Sequence, residues 1–439
     1  MVEQWSEEPR VGGSIPSLGT RVSTIPILRT FAHAHFRLVL SIVFAVAAAA
    51  RLFALILESF ANMDDYRRFF VGPARLAWRG ITPYHPIGVA LPRQDLGNVG
   101  TFLTPPFLVL LGPWTWFADD PGRALWIAAE IIAVVVTMVA VYRAIGRPTW
   151  AEALTAASLV VFFPPLRDSF QGGQIGVFLA AGFALALLGH QRGRPLLGGA
   201  ALGLIIGAKL TPIVVLPYFI YRRDWRLCLA SLATASALAL VTLALGWGHY
   251  WPGFISNVLA ASNGTALVRN QSLNGVLLRA WRPELNGLPI APPGLPFRVV
   301  WLVAQGLAVA GVIAVVARRI LASPLREWAE FSTIVLAAPL VQPYAWEHHF
   351  AQAIMIVPVA VCLASRHLLG LVATLALSAV FIFDLLLEYP GFIAANSVEP
   401  AVLKASPELQ LAASVTTLAV ILAALLLTTA RRTPKKASG

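Results

Sequence analysis

Long apolar runs separated by short polar stretches occupy most of this chain. Leu38 to Phe60, Arg226 to Trp247, Phe297 to Val316 and Leu409 to Ala430 are the clearest. Each is close to the roughly 20 residues that a helix needs to cross a bilayer. The alternating segments of about ten residues that mark a membrane barrel do not recur. The pattern therefore predicts an all-α polytopic membrane protein. Arg123 to Tyr142 reads as a further span. Thr101 to Phe117 is also apolar, but "TPPF" and "GPW" interrupt it. It is expected to be re-entrant or to lie on the outer surface, where neighbouring protein buries its broken backbone. Leu196 to Tyr221 is expected to form two short helices broken near "GAKLTP". This gives about 12 crossings with both termini on one side. A flexible cytoplasmic tail is expected over 1–36, a single transmembrane domain over 37–430, and a basic cytoplasmic tail over 431–439. The long external loops fall at about 61–122 and 248–297. No internal repeat is visible.

Composition agrees: 58% of the 439 residues are hydrophobic and 12% are charged. A net charge of +12 raises the question of nucleic acid, but the distribution of the charge answers it. Arginines gather in short clusters: Arg10, Arg21 and Arg29; Arg143 and Arg147; Arg192 and Arg194; Arg222, Arg223 and Arg226; Arg318 and Arg319; and the "RRTPKK" run. Clusters between apolar runs are the positive-inside signal and set orientation. Nucleic acid is not an expected partner. No cleavable signal is expected at the N-terminus. Cys228 and Cys362 stand alone within apolar runs, so neither a disulfide framework nor a zinc site follows.

With the basic clusters in the cytoplasm, the polar residues collect on the outer side. Polar groups at the edge of a span are costly and point to a site. "NMDDYRRFF" follows the first span. Tyr66, Phe69, Phe70, Ala74, Ala77 and Trp78 recur at helical spacing, with Arg67, Arg68, Arg75 and Arg79 on another face, as in an interfacial amphipathic helix. Asp64 and Asp65 either cap that helix or supply a reactive carboxylate. In "PPLRDSFQGGQIGVF", Gln171 and Gln174 bracket two glycines. An amide bonds sugar hydroxyls, and glycine lets a ligand approach the backbone; an ordinary loop is the plain alternative. Lys209 stands apart from the cytoplasmic clusters, as a phosphate ligand or a snorkelling side chain. "LVRNQSLNGVLLR" presents Arg269, Asn270, Gln271, Ser272, Asn274 and Arg279. "QPYAWEHHF" adds Gln342, Trp346, Glu347, His348 and His349. Adjacent histidines on a helix point about 100° apart and chelate one ion poorly, so contact with substrate phosphate is favoured over a metal.

Scattered cations and amides around one carboxylate suit displacement of a phosphate leaving group by a hydroxyl. The carboxylate takes the acceptor proton, and the cations stabilise charge on the departing phosphate. No Walker loop is present for an ATP-driven step.

"DDYRRFF…GITPYHP", "GGQIGVF…GAKLTPIVVLPY", "NQSLNGVLLR" and "QPYAWEHHF", in that order, resemble glycosyltransferase family 87, the polyprenyl-phosphate-mannose-dependent α-mannosyltransferases. The resemblance implies a GT-C membrane fold, an external active site, and inverting transfer without metal or cofactor, the polyprenyl-phosphate sugar being the donor substrate. A membrane glycolipid or glycan would be the acceptor. The family's acidic residue falls on Asp65, with Asp64 as the alternative. Its lysine, Asn-Gln-Ser and Trp-x-His-His motifs fall on Lys209 to Pro212, Asn270 to Ser272, and Trp346 to His349. The chain departs from the family at Phe69 and Phe70, where tyrosine is frequent, and at Gln342-Pro343-Tyr344, where Ser-Pro precedes the tryptophan. Transfer of arabinofuranose or glucose, or a lipid-linked sugar flippase without chemistry, are the competing expectations. A flippase would more often carry inverted repeats and midplane polar residues.

Overall fold

The computed structural model describes residues 24–84, 102–146, 148–267, 270–281, 294–317 and 324–364, and holds no strand among them. The first helix, α1, runs Thr24–Asn62. It begins inside the segment expected to be a flexible tail, so residues 24–36 extend the helix instead. The expected tail at 431–439 and the crossings expected beyond 364 lie outside the described residues.

After α1, a π-helical turn over Tyr66–Val71 leads into α2, Gly72–Trp78. Tyr66, Phe70, Ala74 and Ala77 are buried, while Arg67 and Arg68 face out. The interrupted apolar segment becomes α3, Pro105–Leu110, and a 3-10 turn, Gly112–Trp116. Neither is long enough to cross, and prolines at their starts set the breaks. The Thr104 hydroxyl caps α3 and donates to the carbonyls of Gly207 and Ala208, which roots the segment in the bundle.

The long α4, Asp119–Ile145, returns across the bundle. A capping box at Thr149 and Glu152 starts α5, Trp150–Val161. Next come α6, Pro164–Gly172, α7, Gly176–Gln191, and α8, Pro195–Ala208. Glycines fix how α7 and α8 meet: Gly189 lies against Gly198, and Gly182 against Ile205. The two helices are therefore antiparallel. A 3-10 turn, Thr211–Val215, and α9, Leu216–Tyr221, precede α10, Trp225–Ala244. On α10, Gly198 meets Leu227, Gly203 meets Ser231 and Thr234, and Gly207 meets Leu238. α8 and α10 are thus parallel, and the chain must turn back between them. It does so at Lys209. Phe219 then packs on His190, and Asp224 bonds His190 at 2.7 Å. The expected break near "GAKLTP" is a true reversal.

The remaining helices are α11, Tyr250–Ala261, α12, Leu273–Trp281, α13, Leu295–Ala317, α14, Pro324–Ala337, and α15, Ile356–Ala364. Four described helical segments are long and apolar enough to span a bilayer: Ala45–Asn62, Asp119–Ile145, Trp225–Ala244 and Leu295–Ala314. Their exposed leucines, valines and isoleucines suit a lipid surround. The bundle has two unlike ends. Arg143, Arg192, Arg194, Arg222 and Arg223 lie at one. Asp65, Gln174, Lys209, Asn270 and His348 lie at the other.

The glycine contacts on α8 yield a test. A Cβ on Gly203 would stand 2.4 Å from the Ser231 carbonyl oxygen, which is backbone and cannot give way cheaply. Gly203→Val is expected to cost about 2 kcal/mol, measured as unfolding of the detergent-purified protein. An unchanged unfolding midpoint would refute close α8–α10 packing.

Candidate active site

The corner between α6 and α7 organises this end of the bundle. Gly173 closes α6 in the left-handed region, at φ 67°. A Cβ there would meet Met63 Cε at 2.6 Å and Tyr66 Cβ at 2.7 Å. A Cβ on Gly172 would stand 3.2 Å from Asp65 Oδ2, and one on Gly176 would stand 2.7 Å from the His348 carbonyl oxygen. The glycines of "QGGQIG" thus let three protein segments close together. The expectation that they admit a ligand to the backbone is corrected: protein fills that space.

Asp64 and Asp65 diverge sharply. Asp64 is exposed and faces Arg67 and Arg68 on the next turn, at 3.8 and 3.6 Å. Asp65 is half-buried, and Gln174 Nε2 donates to its Oδ2 at 2.6 Å from across the corner. Asp65 sits in helical backbone geometry and makes no side-chain cap bond. The capping explanation of Asp65 therefore fails. Gln171 is used elsewhere: it donates to Glu58 Oε2 at 2.7 Å, and Arg51 holds Glu58 Oε1 at 3.1 Å.

The second wall is the segment after α14. A 3-10 turn spans Pro339–Val341, and Gln342 ends it with its side chain half-exposed. Trp346 then begins a second 3-10 helix, Glu347–Ala353. Asp168 Oδ2 accepts from the His348 backbone N–H and meets His348 Nδ1, both at 3.0 Å. His349 Nδ1 accepts from the Trp346 N–H at 3.0 Å, which leaves its proton on Nε2. The two imidazoles do not splay apart as helical spacing suggested. They stack, with centroids 4.6 Å apart and planes 27° apart. Burial first, then the charges of Lys209 and His348, push the His349 pKa well below the usual histidine range. Lys209 ends α8 beside this pair, and burial draws its ammonium down to about 8. No carboxylate among the described residues pairs with it.

Asn270 serves the scaffold through its side chain, and Gln271 through its main chain. Asn270 is fully buried, and its Nδ2 donates to the carbonyls of Thr265 and Pro343. Its Oδ1 accepts from Ser272 and from the Ala345 N–H. The Gln271 N–H donates to the Ala345 carbonyl at 2.6 Å. Buried Arg279 holds the carbonyls of Leu267 and Asn270. Asn270, Ser272, Arg279 and the Gln271 main chain thus form a clasp on the backbone just before Trp346, where a solvated loop or a ligand surface was expected. Asn270 has both amide hydrogens committed and none left for a sugar. Arg269 lies outside the described residues.

Sequence reasoning missed Asp168. Asp168 stands in the quoted "LRDSFQGGQ" run, three residues before Gln171. An ionisable group at the foot of a glycine corner was the available signal. Among the described residues, no group of three or more His, Cys, Asp or Glu is placed to hold a metal.

Asp65 with Gln174, and Lys209 with the stacked histidines, gather at one end of an apolar helical bundle, an arrangement that suits a transferase working at a membrane surface. The profile of glycosyltransferase family 87 matches residues 102–343, more than half of the chain, and the chain belongs to that family. It is a glycosyltransferase. The polyprenol-phosphate-mannose-dependent α-(1-2)-phosphatidylinositol mannoside mannosyltransferase of Mycolicibacterium smegmatis is 27% identical over 314 residues, covering 66% of this chain and 68% of that one. The protein of the same description from Mycobacterium tuberculosis is 27% identical over 290 residues, covering 62% of each. In M. smegmatis, the corresponding phosphatidylinositol pentamannoside mannosyltransferase is 26% identical over 206 residues, covering 45% of each. Among solved structures, ArnT from Cupriavidus metallidurans bound to undecaprenyl phosphate superposes with a TM-score of 0.39 and 13% identity, covering 87% of this chain and 76% of that one. A superposition at that level assigns no residue here.

The His349 environment has a pH consequence. A histidine whose folded pKa lies below its unfolded value, near 6.5, costs stability as the pH falls from that value toward the folded pKa. His349→Asn keeps an acceptor for the Trp346 N–H and cannot titrate there. Melting temperature measured from pH 7.5 to 5 is expected to fall less steeply in this variant than in wild type. Parallel curves would show that His349 is not the buried neutral group.

Proposed function

We propose that this enzyme transfers a sugar, mannose first among the candidates, from a polyprenyl-phosphate donor to a hydroxyl of a membrane glycolipid or glycan. The difference between Asp65 and Asp64 carries the mechanism. Only Asp65 is drawn into the protein and held by a side chain distant in sequence. Asp65 acts as the general base. The acceptor oxygen attacks the anomeric carbon from the face opposite the phosphate. Its proton passes to the Asp65 carboxylate, and the bond from the anomeric carbon to the phosphate oxygen breaks with both electrons leaving on that oxygen. One such displacement inverts configuration.

Lys209 and the histidines receive the charge that develops. Neutral His349 donates through Nε2–H. His348, bonded to Asp168 through Nδ1, presents its other nitrogen. Trp346 and Gln342 hold the sugar, and Gln174 fixes the carboxylate orientation. Asn270 and Gln271 act one step back, by holding the backbone that carries Trp346. No metal and no cofactor take part. The positive-inside rule supports a cytoplasmic arginine-rich end and hence a site on the outer face. The names of the mycobacterial relatives support mannose as the sugar and a phosphatidylinositol mannoside as the acceptor class. Arabinofuranose and glucose remain the alternative sugars to assay.

The test is transfer of radiolabelled sugar from polyprenyl-phosphate mannose to membrane glycolipid by purified protein. Asp65→Asn is expected to lose about a thousandfold in rate, the scale of a general base. Asp64→Asn should stay within a fewfold of wild type, because its partners are exposed arginines. Equal losses in both variants would overturn the assignment. Activity in Asp65→Asn with loss in Asp64→Asn would reverse it.

A further inference from the structure

At the end of the bundle opposite Asp65, a groove of about 680 Å³ opens between α4, α7 and α8. Arg143, Arg192 and Arg194 stand around it, and Leu185, Leu188, Leu197 and Ala201 contribute to its apolar lining. We propose that this groove binds one anionic phospholipid, with the headgroup phosphate among the arginines and an acyl chain along the leucines.

Charge is the first observation. Several neighbouring ionisable groups on this end are already matched. Arg222 pairs with Glu327, Arg326 with Glu330, and His190 with Asp224. Gln191 also bonds Glu327. Among the described residues, no carboxylate pairs with Arg143, Arg192 or Arg194. A cluster of cations without counter-ions at the edge of a membrane bundle is an anion site, and anionic leaflet lipids supply that charge at that depth.

Shape is the second. The glycines that press α7 against α8 leave a trough beside the crossing, with Gly189 on Gly198. Leu185 and Leu197 border it and stay 40% and 66% exposed, as lipid-facing side chains do. Arg192 donates to the Arg143 carbonyl and so ties the ends of α4 and α7, and Arg194 stands just before α8, so the three cations sit at helix ends. A free phosphate ion would use the arginines and leave the leucines without an occupant. A phospholipid uses both.

The test is lipid binding by the purified full chain. Native mass spectrometry in detergent would count bound phosphatidylglycerol against phosphatidylcholine of the same acyl chains. Selective retention of phosphatidylglycerol is expected. It should weaken by about fivefold per arginine removed, the scale of one basic side chain at an anionic leaflet, and so roughly a hundredfold in R143Q/R192Q/R194Q. Ala201→Phe fills the trough without changing charge and is expected to displace the lipid too. That variant keeps the test decisive if the triple variant does not fold. Equal retention of the two lipids, or unchanged phosphatidylglycerol binding in Ala201→Phe, would overturn the proposal. So would inorganic phosphate at millimolar concentration displacing the lipid completely, since this would mark a simple anion site.

Discussion

The hydrogen bond from Gln174 to Asp65 is the constraint around which the outer end of the protein is built. It joins residues 109 positions apart, and it forms only because the intervening chain turns at glycines. Gly172 leaves space for the carboxylate, Gly173 takes the left-handed backbone that ends α6, and Gly176 lets α7 begin against the His348 carbonyl. A side chain at Gly173 or Gly176 would press on Met63 and Tyr66 or on the His348 carbonyl, and one at Gly172 would crowd the Asp65 carboxylate. One corner therefore sets the position of Asp65 on one flank and of His348 on the other. Positioning of this kind is what a displacement reaction needs, because the base and the leaving-group stabilisers must face each other across one sugar ring.

A membrane bundle can hold such a corner because chains of bonded polar side chains brace it from two sides. Arg51, Glu58 and Gln171 form one chain of contacts under the site. Asn270, Ser272, Ala345 and Arg279 form a second, behind it. Unsatisfied polar groups cost more here than in water, so these networks are part of the fold as well as its support for the site. Gly275 shows the same closeness, since a Cβ there would meet the Asn270 carbonyl oxygen at 2.3 Å.

The spans were legible because hydropathy is a property of whole segments. So was the break at Lys209, where a lysine followed by Thr211 and Pro212 cannot continue an apolar helix. The Arg51–Glu58 pairing was legible too, because seven residues bring side chains to one helix face. Contacts between distant segments were not legible. Asp64 and Asp65 are identical in type and adjacent, and only the arrival of Gln174 tells them apart. Asp168 could not be ranked above other loop acids until His348 was placed beside it. The glycines were recognised as permitting close approach, but the approaching group depends on the tertiary fold. Asn270 looked like a ligand in a polar run because a sequence does not show that Pro343 and Ala345 consume its hydrogen bonds.

Charge accounting ties these contacts to the reaction. Asp168 is engaged by His348, and Asp65 is engaged by Gln174. Lys209 remains near the stacked histidines with no described carboxylate to balance it, and its charge is among the causes that keep His349 neutral. A buried ammonium without a counter-ion is open to an anionic partner. In the proposed reaction a phosphodiester brings one negative charge there, and cleavage at the anomeric carbon leaves a phosphate monoester with a second. Lys209, drawn down by burial to about 8, regains affinity for its proton as that charge grows. The attraction is therefore stronger for the departing phosphate than for the intact donor, and an interaction stronger in the transition state than in the ground state is one that raises rate. Under the proposed mechanism, the same burial that makes Lys209 costly to the empty protein makes it responsive to the leaving group.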